Sequence, residues 1–273
     1  MRNPFLRKKE TQGRTPSIET SQHITSENIT DKLDTTQFYV GYDFRVNDKI
    51  TLRQPTLEKV VEMGDSAYYQ MIHILTSISS DHISELWDSG VDFQKVSDIE
   101  FFFYMTRKLD KELSSLLFGD MVDFQCFEPY FRGEEKVLYD SQHDIIIDSK
   151  DCSRLSKTLC IWHGIKKEPV TAAGPMALRA MIEIDRQEKA EISKKKNKAP
   201  LMPMISSIIN HEGFKYNLED TMKLKIFFFM DCVSRIGLKV STDRIATGFY
   251  TGSIDTKKFQ PEKQLNWMRD LYE

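Results

Sequence analysis

From Leu201 to Leu238 the apolar positions fall into helical register on both sides of a joint at His211-Glu212-Gly213. In the second half Met222, Ile226, Phe229, Met230, Val233 and Ile236 recur at three- and four-residue steps, on one face of a helix begun by Asn217. Phe227, Phe228 and Cys232 widen that face until little polar surface is left. A helix of this kind has to be covered on most sides, which makes this pair the expected centre of the core.

Upstream the period changes several times. Residues 1–36 carry too few apolar groups to offset the entropy of ordering and read as a flexible arm, with Phe5, Leu6, Ile18 and Ile24 as anchors should it order on a neighbouring subunit. From Phe38, FYVGYDFRVNDKITL alternates around the turn-forming pair Asn47-Asp48 and predicts a short β-hairpin centred on Phe44, Val46, Ile50 and Leu52. Pro55-Thr56 opens a helix closed by Gly64, and two more follow, over 66–78 and 81–89. Ser97-x-x-Glu100 has the form of a capping box, and the residues after it suit one helix of about five turns.

Between Asp120 and Asp148 short β-rich pieces predict a small sheet or an inserted arm. Asp148 or Ser149 then caps a helix to Trp162, with Leu155, Leu159 and Trp162 inward. Gly174-Pro175 starts another, apolar at first and charged later, expected to leave the body of the protein. After the central pair, Ser241 is expected to cap a helix ending near Gly252, and 262–272 to form the last. The expected fold is mainly α with α+β character, a helical bundle core with an N-terminal β-hairpin and a small β-rich middle portion. Its parts are 1–36 (arm), 37–119 (hairpin plus helices), 120–148 (β-rich) and 149–273 (helices packing on 37–119).

Composition narrows the partners more than the fold. A net charge of −3 and a pI near 6.1 leave no global basic field, which argues against a dedicated nucleic-acid binder. Lys194, Lys195, Lys196 and Lys198 lack interleaved aromatics and read as a solvated helix end. The cysteines 126, 152, 160 and 232 form no CxxC pair and read as reduced thiols of a cytosolic protein. The basic start has no apolar stretch behind it, and no apolar run reaches the roughly eighteen residues of a membrane span.

The chemistry of common enzymes has no visible seat. The six histidines are scattered, none in HExxH; His163 is expected near a helix end, where the dipole favours a charged ring. Phosphate-binding glycine patterns are missing too. Asp123, Glu128, Glu134, Glu135, Asp140, Asp144 and Asp148 make a metal nuclease or glycosidase the enzyme class to weigh, with solvated strand faces as the plainer account. A non-enzymatic chain needing no cofactor and no metal is the expectation.

Two aromatic triplets suggest contact with other proteins. Consecutive helical residues point about 100° apart, so Phe101-Phe102-Phe103 and Phe227-Phe228-Phe229 cannot each direct three rings into one core. Phe103 and Phe228, with Tyr104, are the candidate partner-binding residues.

The run ITLRQPTLEKVVEMGDSAYY, the later DSGVDFQKVSDIEFF, and FKYN, FMDCVSRI, GFYTGSIDTKKF and KQLNWM resemble proteins encoded among the tail-morphogenesis genes of tailed bacteriophages of Gram-positive hosts, of the tail assembly chaperone type. The resemblance spans about Phe38 to Leu271 and carries no active-site residue. It implies a chaperone that covers apolar helices of a tape-measure or other tail protein in the host cytoplasm. The alternative is a structural virion subunit of tail, baseplate or head–tail connector. Twelve methionines and seventeen phenylalanines suit an adaptable groove for such helices and equally suit an ordinary core. A homo-oligomer is open; a membrane partner is not expected.

Overall fold

The computed structural model describes residues 35–194, 201–253 and 260–272. The expected arm lies outside them except for Thr35 and Thr36, as do Lys195, Lys196 and Lys198 of the lysine cluster. The described residues belong to one compact unit, 34–273.

That unit begins with a helix where a strand was expected. Thr35–Val40 is α1. It ends in a paired cap: the Tyr42 N–H reaches the Gln37 carbonyl and the Gly41 N–H that of Phe38, both at 3.0 Å, with Gly41 left-handed at φ +91. Alternation misled here because Phe38 is buried as part of a helix, edge-on to the rings of Phe44, Trp162 and Phe227 at 5.8, 5.6 and 5.9 Å. The hairpin itself is shorter than expected, β1 (Phe44–Arg45) against β2 (Thr51–Leu52), with Val46, Ile50 and Leu52 buried.

The next helices follow the sequence closely: α2 (Leu57–Met63) capped by Thr56 and closed by Gly64, α3 (Asp65–Thr76), then a single 3-10 turn at Ser79–Asp81 and α4 (Ile83–Asp88). The Ser97 cap is present, Glu100 accepting the Ser97 N–H and hydroxyl at 3.2 and 2.8 Å. The five-turn helix behind it, however, is two: α5 (Asp98–Thr106) and α6 (Lys111–Phe118). Thr106 turns its hydroxyl back to the Phe102 carbonyl at 2.8 Å, and Asp110 is extended as the cap of α6. The bend buries Leu109 while Arg107 and Lys108 stay in solvent.

The middle portion is a three-stranded antiparallel sheet in the order β3 (Glu128–Arg132), β4 (Glu135–Asp140), β5 (Ile145–Ile147). It packs on α5 through β4, where Lys136 pairs with Glu100. Asp148 caps α7 (Ser149–His163), its carboxylate accepting the Asp151 N–H at 2.9 Å. This helix touches α3 and α5 and buries Leu155, Leu159 and Trp162.

The charged helix does not leave the body. α8 (Pro175–Lys194) buries Ile182 and lies along α4, where the Asp185 carboxylate accepts the Ser84 N–H at 2.9 Å and Arg186 pairs with Asp88. Asp185 and Arg186, charged residues on this helix, are the docking contacts.

The central pair is also redivided. α9 (Leu201–Ile209) buries Leu201, Ile205 and Ile208, but the helix capped by Asn217, α10 (Leu218–Met222), lasts little more than a turn. Its continuation is prevented by the segment before α2: the Leu57 N–H donates to the Leu224 carbonyl at 3.1 Å and the Ile226 N–H to that of Pro55 at 3.0 Å. Backbone groups so engaged cannot serve a helix.

A fresh helix, α11, then runs unbroken from Ile226 to Tyr250, through Ser241. It contacts α1, α7 and α9. Its first turns are the most covered, with Ile226, Phe227, Phe229 and Asp231 buried and Met230, Val233 and Ile236 half-buried; farther along, Thr242 is buried too. α7 ties α11 to the helices before the sheet, since α3, α5 and α11 all touch it.

The last expected helix shrinks to α12 (Pro261–Gln264), because 267–272 is clasped to α11 instead. Arg235 donates to the carbonyls of Trp267 and Arg269 at 3.2 and 2.6 Å, and the Tyr272 hydroxyl donates to Asp231 at 2.9 Å.

Candidate functional surface

α11 starts with three phenylalanines, and the neighbours of each decide its role. Phe227 and Phe229 are inside; Phe228 is turned away from them and half-buried. Its ring meets Tyr39 edge-on at 4.8 Å and Tyr216 at 6.0 Å, and Tyr216 lies 5.4 Å from Phe214. Tyr39 and Tyr216 are 48% and 39% exposed, and Val40, Tyr42 and Leu218 nearby in the chain stand open too. Four rings from α1, the 214–216 loop and α11 thus form one surface, open to solvent at Tyr39 and Tyr216. Burial, then the charge of Asp231, raises the Tyr39 phenol above its ordinary value, so it stays a neutral donor.

Phe103 and Tyr104 stand on α5, away from buried Phe101 and Phe102 on the same helix. The Arg107 guanidinium lies 5.5 Å from the Phe103 ring and the Lys108 ammonium 4.4 Å from that of Tyr104. Cations from the turn that follows α5 lie over these two rings. Of the three sequence candidates, Phe228 has an aromatic neighbourhood. Its partners Tyr39 and Tyr216 were missed, Tyr39 because it was placed on a strand and Tyr216 because it stands between the joint at 211–213 and the Asn217 cap, on no helical face.

The acidic residues of the middle portion are spread among separate duties. Asp123 accepts the Gln125 N–H at 3.0 Å, Glu128 pairs with Arg107 at 3.1 Å, and Glu135 and Asp148 share Arg132 at 3.0 and 3.4 Å. Asp140 holds His143 at 2.7 Å, while Asp144 holds Lys49 at 2.7 Å, whose hydrogen bond keeps that carboxyl below its usual range. Glu134 is exposed in the β3–β4 turn. Among the described residues no three of His, Cys, Asp or Glu are placed to hold a metal ion.

His163 is the last residue of α7, at a helix end as expected, but its ring is not charged. It is buried, and burial lowers its pKa to about 4, so the ring is neutral. A second histidine pair has some look of catalytic geometry: Ser77 Oγ lies 3.4 Å from His73 Nδ1 and from His82 Nε2, and His82 Nδ1 is 3.1 Å from Glu85. The Ser77 hydroxyl proton, however, goes to the His73 carbonyl at 2.6 Å, so the oxygen is a helix-end cap. The thiols are raised by burial, that of Cys232 to about 11, and are poor nucleophiles at neutral pH.

The aromatic surface falls largely in the part of the chain with a known likeness. Residues 193–272 match the family of the YomV second domain. That stretch is under a third of the chain and points to a phage-related protein family. It includes Phe214, Tyr216 and Phe228 and the described residues of α9 to α12. No curated protein and no solved structure matches the chain. The YomV-like stretch is joined to the rest by backbone: the 55–57 segment bonds to 224–226, and Lys225 Nζ donates to the Gln54 carbonyl at 2.6 Å. Among the described residues no helix is long and apolar enough to cross a membrane.

Proposed function

We propose that this chain is a phage protein that works by holding another polypeptide during tail assembly, with no chemistry of its own. The observation that carries this is the surface of Tyr39, Tyr216, Phe214 and Phe228, which lies mostly on the YomV-like stretch. Phenylalanine and tyrosine rings suit an amphipathic helix, because they cover apolar side chains and the phenol can still satisfy a polar group. The chaperone role for a tape-measure or tail-tube protein rests on the resemblance of the 38–271 pattern to tail-morphogenesis proteins. Host cytoplasm is the place where such a role is played.

Co-expression with the tape-measure or tail-tube protein of the same genome is the test. A soluble complex that weakens with Phe228→Ser supports the reading, and no complex with either protein overturns it. Mass spectrometry of purified particles separates the roles. Absence of the chain fits a chaperone; stoichiometric presence would make it a virion subunit.

A further inference from the structure

The strand β3 is exposed along its whole length, Glu128-Pro129-Tyr130-Phe131-Arg132, at the edge of its sheet. Tyr130 and Phe131, on opposite faces, are 56% and 58% exposed. Among the described residues no backbone hydrogen bond reaches the outer edge of β3, and a free edge with two open aromatics is a template for a further strand.

The direction of those groups follows from the turn. β3 and β4 are joined by Gly133-Glu134, with Gly133 at φ +67 and Arg132 opposite Glu135. In a two-residue hairpin the flanking pair exchanges both hydrogen bonds, so Arg132, Tyr130 and Glu128 serve β4 while Pro129 and Phe131 face outward. The donor that Pro129 lacks is thus on the open side.

We propose that β3 pairs antiparallel with β3 of a second copy about a two-fold axis at Tyr130, joining two three-stranded sheets into one of six. This inference is independent of the function proposed above. The occupant is identified by the sequence of the strand itself. In that register Glu128 lies opposite the partner's Arg132, Arg132 opposite the partner's Glu128, and Tyr130 opposite the partner's Tyr130, all at non-hydrogen-bonded positions where side chains approach most closely. Phe131 lies opposite the partner's Pro129 and donates its N–H to that carbonyl, and symmetry repeats the bond.

Sliding the register by two residues brings Glu128 opposite the partner's Glu134 in one direction and loses both Glu128–Arg132 pairs in the other, so charge favours the first arrangement. Arg132 reaches both Glu135 and Asp148 through Nη2, and Glu128 reaches Arg107 through Oε1. These exposed pairs are weak and leave other nitrogens and the second oxygen to bridge the axis. With so short a strand the dimer belongs to the small, weak class of interfaces.

Sedimentation of the full chain up to roughly 0.5 mM tests this, since weak pairs populate at such concentrations. The expected result is a monomer–dimer equilibrium. Glu128→Arg and Arg132→Glu should each weaken it by about tenfold, because each places two like-charged pairs at the axis. An equimolar mixture of the two variants should recover it, because the mixed dimer restores both opposite-charge pairs. Phe131→Pro removes only an outward N–H and the ring, and should leave a monomer with wild-type far-UV circular dichroism even if a charge variant fails to fold. A wild-type chain that stays monomeric, a dimer indifferent to Phe131→Pro, or folded charge variants that do not recover on mixing would each overturn the proposal.

Discussion

The phenol of Tyr68 and Nε2 of His163 meet at 2.8 Å inside the core, joining α3 to α7. The tautomer follows from the other side of the ring, where Nδ1 faces the Leu159 carbonyl at 2.7 Å. A carbonyl only accepts, so Nδ1 carries the proton and Nε2 accepts from Tyr68. A charged ring would have two donors facing one carbonyl and one phenol, in a site closed to water.

Acid should therefore weaken the fold through His163. Its pKa is about 4 folded against 6.5 for the free side chain, so between these values the unfolded chain binds more protons. Stability conferred by the neutral ring is complete above pH 6.5 and is lost as pH falls toward 4, on the order of 3 kcal/mol across the window. In thermal or urea unfolding, His163→Gln should have a flatter pH dependence there than the wild type. Equal slopes would mean the ring is not buried neutral.

Asn47 does more than turn the hairpin. Its amide nitrogen donates to the Ile146 carbonyl at 3.1 Å and the Asp151 carboxylate at 2.8 Å, and its oxygen accepts from the Lys49 and Ile50 N–H groups. Burial raises the Asp151 carboxyl above its ordinary value. Asn47→Asp would set two carboxylates face to face, at a cost on the order of 2–4 kcal/mol at pH 7. The folded pair would retain a proton that the unfolded chain has released, so the cost relative to wild type should shrink on acidification. Denaturant midpoints at pH 7 and pH 4.5 check this.

Tyr272 tests the clasp on α11. Its ring packs 5.1 Å from Phe227 and its hydroxyl serves buried Asp231, which otherwise has Arg235 at 3.6 Å. Tyr272→Phe keeps the ring and should lose about 1–3 kcal/mol, the penalty for an under-satisfied buried carboxylate. Amide exchange at Arg269–Leu271 should quicken in the same variant.

Adjacent rings on α11 should behave oppositely. Phe227→Ser removes a core ring and should lose on the order of 4 kcal/mol, whereas Phe228→Ser should lose about 1 kcal/mol with its two edge contacts. If the aromatic surface binds a partner, the second change should still reduce complex formation in a pull-down. Comparable losses of stability would place Phe228 in the core instead.

What could be read in advance was local. Thr56, Asp148 and Asn217 announce helix starts because their side-chain oxygens accept an orphan N–H three residues on, and Ser97 because Glu100 three residues on accepts its N–H; each acts within one turn. The interior rings of both phenylalanine triplets were legible for the same reason, since a helix fixes where neighbouring side chains point. Seven acidic residues in the middle portion were legible as residues but not as partners, because which cation each meets depends on chain segments such as Lys49 and Arg107.

By itself the sequence determined a mainly helical chain with a hairpin and a β-rich middle portion, its caps, and which ring of FFF at 227–229 would turn outward. Tertiary structure alone decided that α10 stops at Met222, because Pro55 and Leu57 take the backbone groups it needed, and that α11 then runs on through Ser241. It also decided that Tyr39 and Tyr216, 177 positions apart, meet on Phe228. The physical reason is one of range: caps and periodicity act within a turn, whereas competition for a backbone group or a ring face depends on what the rest of the chain brings to that place.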